Sequence, residues 1–180
     1  MDAARSVVLQ HGTRGATIGA IASACQAPTG SIYHRFDSVD ELLARLWMRA
    51  ISRVQAELLG CGAEDVIEAA VAGALAIYDF CLREPGDALL LSCFRRSDFG
   101  SARLRDHVRA ELDHLNDRID PFIERLARAL GGPGRKDQAL LAIRDLPYGA
   151  ALPHIRDGTH PHPRRRAHLE AAIRAALTAP

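Results

Sequence analysis

Thr29, Gly30 and Ser31 are three small residues in succession, followed by Ile32, Tyr33, His34, Arg35 and Phe36. Such residues make a poor start to a helix, so their presence at one asks for another reason. Small polar groups let a helix end lie close to a flat partner, with hydroxyls and backbone free to bond base edges or phosphate oxygens. Ile32 and Phe36, at helical spacing, turn the other way into a core. Tyr33 and His34 then stand at the edge with a phenol and an imidazole. The chemistry on offer is hydrogen-bonded contact.

The remaining reactive residues offer less. His107 and His114 share one predicted helix, and His154, His160, His162 and His168 flank a loop, but no H-E-x-x-H or paired Cys/His spacing marks a metal site. Cys25, Cys61, Cys81 and Cys93 form no C-x-x-C pair. Cys25, Cys81 and Cys93 fall in apolar helical patterns, so reduced, structural thiols are expected. GGPG at 131–134 lacks the lysine and the strand of a phosphate loop. Arg164, Arg165 and Arg166 open a helix beside a loop and read as a solvated cluster. No metal, no cofactor and no catalytic group is expected.

The elements that must position the contact residues are helical. The chain has 180 residues, 48% hydrophobic and only 5% aromatic, a mix that favours helices over sheets. Residues 2–11 suit a short helix stopped by Gly12. Thr17 stands as N-cap to a second helix with Ile18, Ile21, Ala22 and Cys25 in phase. Pro28 suits the first turn of a very short third helix. Ser38 and Glu41 make an S-x-x-E capping box before a long helix that ends at the GCG of 60–62, the expected break in the chain. Beyond it, 64–83, 87–97, 101–130 (kinked at Pro121), 135–151 (bent at Pro147) and 164–178 read as helices, with 153–163 a loop. About nine helices result.

Net charge is +1, so no global basic field marks a nucleic-acid partner; any such contact must come from local geometry. No apolar run approaches the roughly 18–20 residues of a membrane span. With no leader-like segment at the start, a soluble cytoplasmic protein is expected.

Two short helices joined by a tight turn, the second opened by proline and closed by aromatics, form a helix-turn-helix pattern. The run from Thr17 to Leu43, TIGAIASACQAPTGSIYHRFDSVDELL, resembles the DNA-binding region of TetR-type bacterial regulators, and residues 4–47 carry the likeness. The resemblance implies an all-α fold. Residues 1–45 would be a three-helix DNA-binding domain and 46–180 a larger helical domain for ligand binding and dimerisation. It implies base contact from Thr29, Gly30, Ser31 and Tyr33 at the helix opened by Pro28. It implies phosphate contact from Thr17, Tyr33, His34 and Ser38, with Arg35 contributing charge. Each has a plainer reading too: Thr17 and Ser38 are caps, Arg35 a solvated charge, and Tyr33 the rim of a small core.

Three departures stand out. Gln26 replaces the turn's usual glycine, which would strain a left-handed backbone there. Val39 stands where the family has a phosphate-gripping lysine. No Lys or Arg occurs between Arg14 and Arg35. Family members also carry a basic stretch before the first helix, whereas Met1 and Asp2 lead straight into it here: either the arm is missing or the reading frame is longer.

The resemblance implies a homodimer through helices 135–151 and 164–178, bound to palindromic operator DNA and released by a small-molecule effector. Tyr78, Phe94, His107 and Tyr148 are the candidate effector contacts. The plainer alternative is that they fill or border the core, and that the two helices complete the monomer. A different class of function, a helical enzyme or protein-interaction module with a vestigial helix-turn-helix, draws its support from the missing basic residues.

Overall fold

The computed structural model describes residues 1–179, and all regular structure among them is helical. In chain order the helices are α1 (Asp2–Gly15), α2 (Ile18–Ala24), α3 (Thr29–Tyr33), α4 (Val39–Leu59), α5 (Val66–Arg83), α6 (Pro85–Cys93), α7 (Asp106–Asp113), α8 (Asp120–Ala129), α9 (Lys136–Leu140), α10 (Leu146–Asp157) and α11 (Arg165–Thr178). The residues divide into two compact units. One joins 1–52 to 86–115, and the other joins 53–85 to the residues from 116 onward.

In the first unit α1, α2, α3 and the start of α4 enclose a small core of Val7, Val8, Ile18, Ile21, Ile32, Leu42, Leu46 and Trp47. So small a group of helices buries little apolar surface by itself. The later segment completes the core, contributing Leu90, Phe94, Phe99, Val108 and Leu112. Phe99, on a 3-10 turn (Arg96–Phe99), packs its ring 5.6 Å from Trp47 and 5.5 Å from Phe94, within the range of favourable tilted aromatic pairs.

In the second unit α5 is the central helix. Asp65 caps it by accepting from the N–H groups of Ile67 and Glu68, each at 2.9 Å, and most of its residues from Ala69 to Cys81 are buried. It packs against α8, α10 and α11. Phe122 and Leu126 of α8, Ala151 of α10, and Leu169, Ile173 and Leu177 of α11 are buried in this unit.

The prolines act differently from the sequence expectation. The stretch 101–130 is not one kinked helix: α7 ends at Asp113, and α8 starts afresh at Asp120 with Pro121 in its first turn. A first-turn proline lacks only an N–H that would have no partner anyway, so a new start is easier than a kink. Between them the Asn116 carbonyl accepts from the N–H groups of Ile119 and Asp120. The bend expected at Pro147 takes the form of a π-helical stretch, Leu141–Asp145, in which the Leu146 N–H reaches the Leu141 carbonyl. This wider turn accommodates the proline. The helix then continues through Pro153 to Asp157, into the region expected to be loop. Gly158 stops it with φ 62°, the left-handed stop glycine makes easily.

Cys25 and Cys93 are exposed, contrary to the apolar pattern around them, while Cys81 is buried. Burial pushes the Cys81 thiol up to about 12, so this thiol is inert at neutral pH.

Gly73 shows why a glycine sits inside α5. A Cβ there would lie 2.6 Å from the Leu58 carbonyl oxygen and 2.5 Å from its Cδ1; the side chain could yield, but the backbone oxygen belongs to a helix. Gly73→Ala should therefore destabilise the protein by about 1–3 kcal/mol despite alanine's better helix propensity. A urea melt showing equal or greater stability would refute this close-packing account.

Candidate nucleic-acid interface

Helix α3 is a single turn and a half, and its residues divide by exposure. Ile32 is buried, whereas Pro28, Thr29, Gly30, Ser31, Tyr33, His34 and Arg35 are exposed. Tyr33 is 56% exposed, so its ring points away from the core. The anchor is therefore one isoleucine, with Phe36 half-buried behind it, and the rest of the helix forms an open polar face. Thr17 is exposed; its Oγ1 accepts from the Ala20 N–H at 3.1 Å, so capping uses one lone pair and leaves the hydroxyl hydrogen free to donate.

The turn between α2 and α3 is a Schellman stop: the Ala27 N–H bonds the Ala22 carbonyl and the Gln26 N–H bonds the Ser23 carbonyl, both at 3.0 Å. That motif needs a left-handed residue, usually glycine. Gln26 fills it with φ 52°, alone among the described non-glycine residues in having positive φ. The strain expected from the sequence lies in the turn that sets the angle between the two helices.

At the other end of α3, the Ser38 Oγ accepts from the Glu41 N–H at 3.0 Å and donates to the Arg103 carbonyl at 3.2 Å. This is half of the expected capping box. The Glu41 carboxylate is turned instead toward Arg105, whose Nε donates to both carboxylate oxygens at 3.0 and 2.9 Å and whose Nη2 also bonds Oε1. The same Nη2 donates to the Arg35 carbonyl at 2.7 Å. One guanidinium thus ties the end of the exposed helix to the beginning of α4. Glu41 is fully buried. Burial acts to raise its carboxyl, but the hydrogen bonds and charge of Arg105, with Arg45 and the Asp37 backbone, outweigh it and hold the group below its ordinary value. Arg105 was invisible to sequence reasoning because its partner lies 64 residues away. The one signal was a glutamate at the start of an otherwise apolar helical face.

The candidate effector residues fall in different units. Phe94 is buried beside Phe99 in the first. His107, also in the first, is exposed and accepts at Nε2 from Arg45 Nη2 at 2.8 Å. Tyr78 is buried in the second, where burial raises its phenol, and Tyr148 is half-buried on α10. An open cleft in the second unit is lined by Ala56, Glu57, Gly60, Cys61 and Ala76, and neither tyrosine lines it. No group of three or more His, Cys, Asp or Glu among the described residues is arranged to hold a metal ion. No helix among them is long and apolar enough to cross a membrane.

Residues 1–46 match the family described as bacterial regulatory proteins, tetR family. Three solved structures share the fold over 98% of this chain. A protein from Shewanella sp. PV-4, assigned as a tetR family transcription regulator, is 21% identical with TM-score 0.65, the match covering 92% of it. A TetR-like transcriptional regulator from Rhodococcus sp. RHA1 is 17% identical with TM-score 0.66 over 90% of its length. The TetR family transcriptional regulator PfmR from Thermus thermophilus is 19% identical with TM-score 0.63 over 95%. No curated protein matches the chain in sequence.

Replacing Gln26 by glycine should stabilise the protein by about 0.5–1 kcal/mol. Relief of the left-handed conformation exceeds glycine's added freedom in the unfolded chain; an unchanged or lowered melting temperature would show the turn unstrained. A second expectation concerns acid. Because the Glu41 carboxyl is lowered on folding, its contribution is complete above the unfolded value near 4.5 and is lost as pH falls through the lower folded value. Glu41→Gln should cost roughly 2 kcal/mol at neutral pH by leaving Arg105 without its partner. The gap to the wild type should close below pH 4.5. Parallel stability curves for the two proteins down to low pH would contradict this.

Proposed function

We propose, from the premise that residues 1–46 form a TetR-type DNA-binding domain within a chain of TetR-type fold, that this protein is a sequence-specific transcriptional regulator of the cytoplasm. The observation that carries the reading is the exposed face of α3: Thr29, Gly30 and Ser31 lie open at its start while Ile32 holds it to the core. A helix built in this way can lay its first residues along base edges in the major groove. Thr17, Tyr33, His34, Arg35 and Ser38 are the proposed contacts around it, to phosphate or to base, Ser38 through its backbone N–H because its hydroxyl already donates to the Arg103 carbonyl. No catalytic step belongs to this reading.

A single α3 reads a short half-site, so the proposal includes a homodimer with two recognition helices roughly 34–36 Å apart on a palindromic operator. The interface assigned is helices 135–151 and 164–178. Two features support it. Leu141 is 44% exposed. On α11, Leu169, Ile173 and Leu177 face the monomer core, while Ala167, Ala171 and Ala175 are exposed on the opposite side, a small-residue face that permits close helix packing.

Tyr78, Phe94, His107 and Tyr148 remain the proposed effector contacts. A ligand can shift the regulator out of its DNA-competent state only by binding another state more tightly. Phe94 and His107 belong to the unit that carries α3, so a ligand touching them would act on that unit directly. Release of a repressor is the sign the family resemblance favours.

Sequencing genomic fragments retained by the purified protein tests the reading, followed by titration of the enriched fragment. Thr29→Ala and Ser31→Ala should each weaken that complex by about 1–3 kcal/mol where they make good base contacts, and should narrow the preference over random DNA. Unchanged discrimination in both variants would remove α3 from base reading.

A further inference from the structure

The geometry points to Arg103 as a phosphate-binding residue of the DNA interface, standing outside the helix-turn-helix and supplying the charge that Val39 does not. The inference rests on the DNA-binding reading above and adds to it a contact from a segment 57 residues beyond the end of the family match.

The interface as drawn from residues 1–46 is short of positive charge. No Lys or Arg lies between Arg14 and Arg35, and the chain then runs through Asp37, Asp40 and Glu41. Val39 cannot make good the deficit, being half-buried and packed on the first unit's core. Most arginines of this unit are already engaged. Arg5 is held by Asp87, Arg45 by Glu41, Arg49 by Asp2 and Arg96 by Asp113. Arg109 donates to the carbonyls of Phe99 and Ala102.

Arg103 differs in both position and state. Its carbonyl accepts from the Ser38 hydroxyl, so its backbone is one hydrogen bond from a residue proposed to meet phosphate. Two residues later Arg105 clasps the Arg35 carbonyl and Glu41, which fixes the segment against the end of α3. The Arg103 side chain itself is exposed and makes no ion pair among the described residues. Two acids of this region are turned elsewhere, Glu41 to Arg105 and Asp37 to within 3.8 Å of the same guanidinium. A long, uncommitted guanidinium is thus held beside the recognition helix, and its planar fork suits the oxygens of a phosphate.

The test is the salt dependence of binding, measured by fluorescence anisotropy on a labelled mixed-sequence duplex of about 30 base pairs, since phosphate contacts do not depend on sequence. For Arg103→Gln the slope of log affinity against log salt should become shallower by about one unit per subunit. Arg103→Lys should keep the wild-type slope, and both variants should keep the wild-type melting temperature because the side chain is exposed. A wild-type slope in Arg103→Gln would overturn the assignment, as would equal loss of slope in Arg103→Lys. A wild-type protein with no salt-dependent complex would sink the DNA-binding reading itself. That outcome is distinct from intact binding indifferent to residue 103.

Discussion

Glu41 is a carboxylate removed from water at the start of a helix that carries much of the first unit's core. A buried charge of this kind is costly unless it is paired and its remaining lone pairs are bonded. Arg105 meets that requirement, and the way it does so ties distant parts of the chain together. Its guanidinium faces the carboxylate and also the carbonyl at Arg35, where the exposed helix ends. The backbone on which it rides is pinned two residues earlier by Ser38. The orientation of α3 is therefore fixed from two sides: the strained left-handed turn at Gln26 sets its beginning, and this ion pair sets its end. With one buried isoleucine as its own anchor, α3 has little else to hold it.

The same arrangement bears on the division of labour between sequence and structure in this unit. The residues proposed for recognition are local, contained between Thr17 and Ser38. The residues that make this segment a folded object are not. Phe94, Phe99, Val108 and Leu112 complete the apolar core, and Arg105 completes the polar one. A segment as small as 1–46 buries too little surface to be secure alone, so its rigidity comes from residues 86–115. Recognition needs that rigidity, since base contacts lose their value if the helix presenting them can rock.

Much of this was legible in the sequence where the physics is local. The N-cap at Thr17, the open face of Thr29 to Ser31 and the long helix after Ser38 depend on neighbours a few residues away, and periodicity and capping rules reach that far; the strain at Gln26 was legible only through the family resemblance. What could not be read depends on distant partners or on choices between close energies. The S-x-x-E pattern predicted that Glu41 would bond back to its own cap; its carboxylate instead takes an arginine far along the chain, together with the Asp37 backbone, and the charged donor is the stronger partner. Pro121 and Pro147 looked alike as kinks in phase with an apolar stripe. One begins a new helix and the other follows a π-helical stretch, and nothing in their flanking residues separates those outcomes. Cys25 and Cys93 matched an apolar pattern yet face outward, because helical spacing names a face without saying what covers it.

Val39 shows how these constraints reach function. At the start of α4 a position can serve the core or the solvent side, and in a unit so small the core has the stronger claim: a half-buried valine adds packing where few apolar residues are available. Giving that position to packing leaves the face proposed to meet DNA without a cation there, and the acids at 37, 40 and 41 deepen the deficit. Glu41 is neutralised from within by Arg105. The rest of the balance must be met by residues of the same unit, whatever their place in the chain. Because the first unit is built from two separated stretches, its surface charge is shared between them. A polar interface on such a unit need not end where the sequence motif ends.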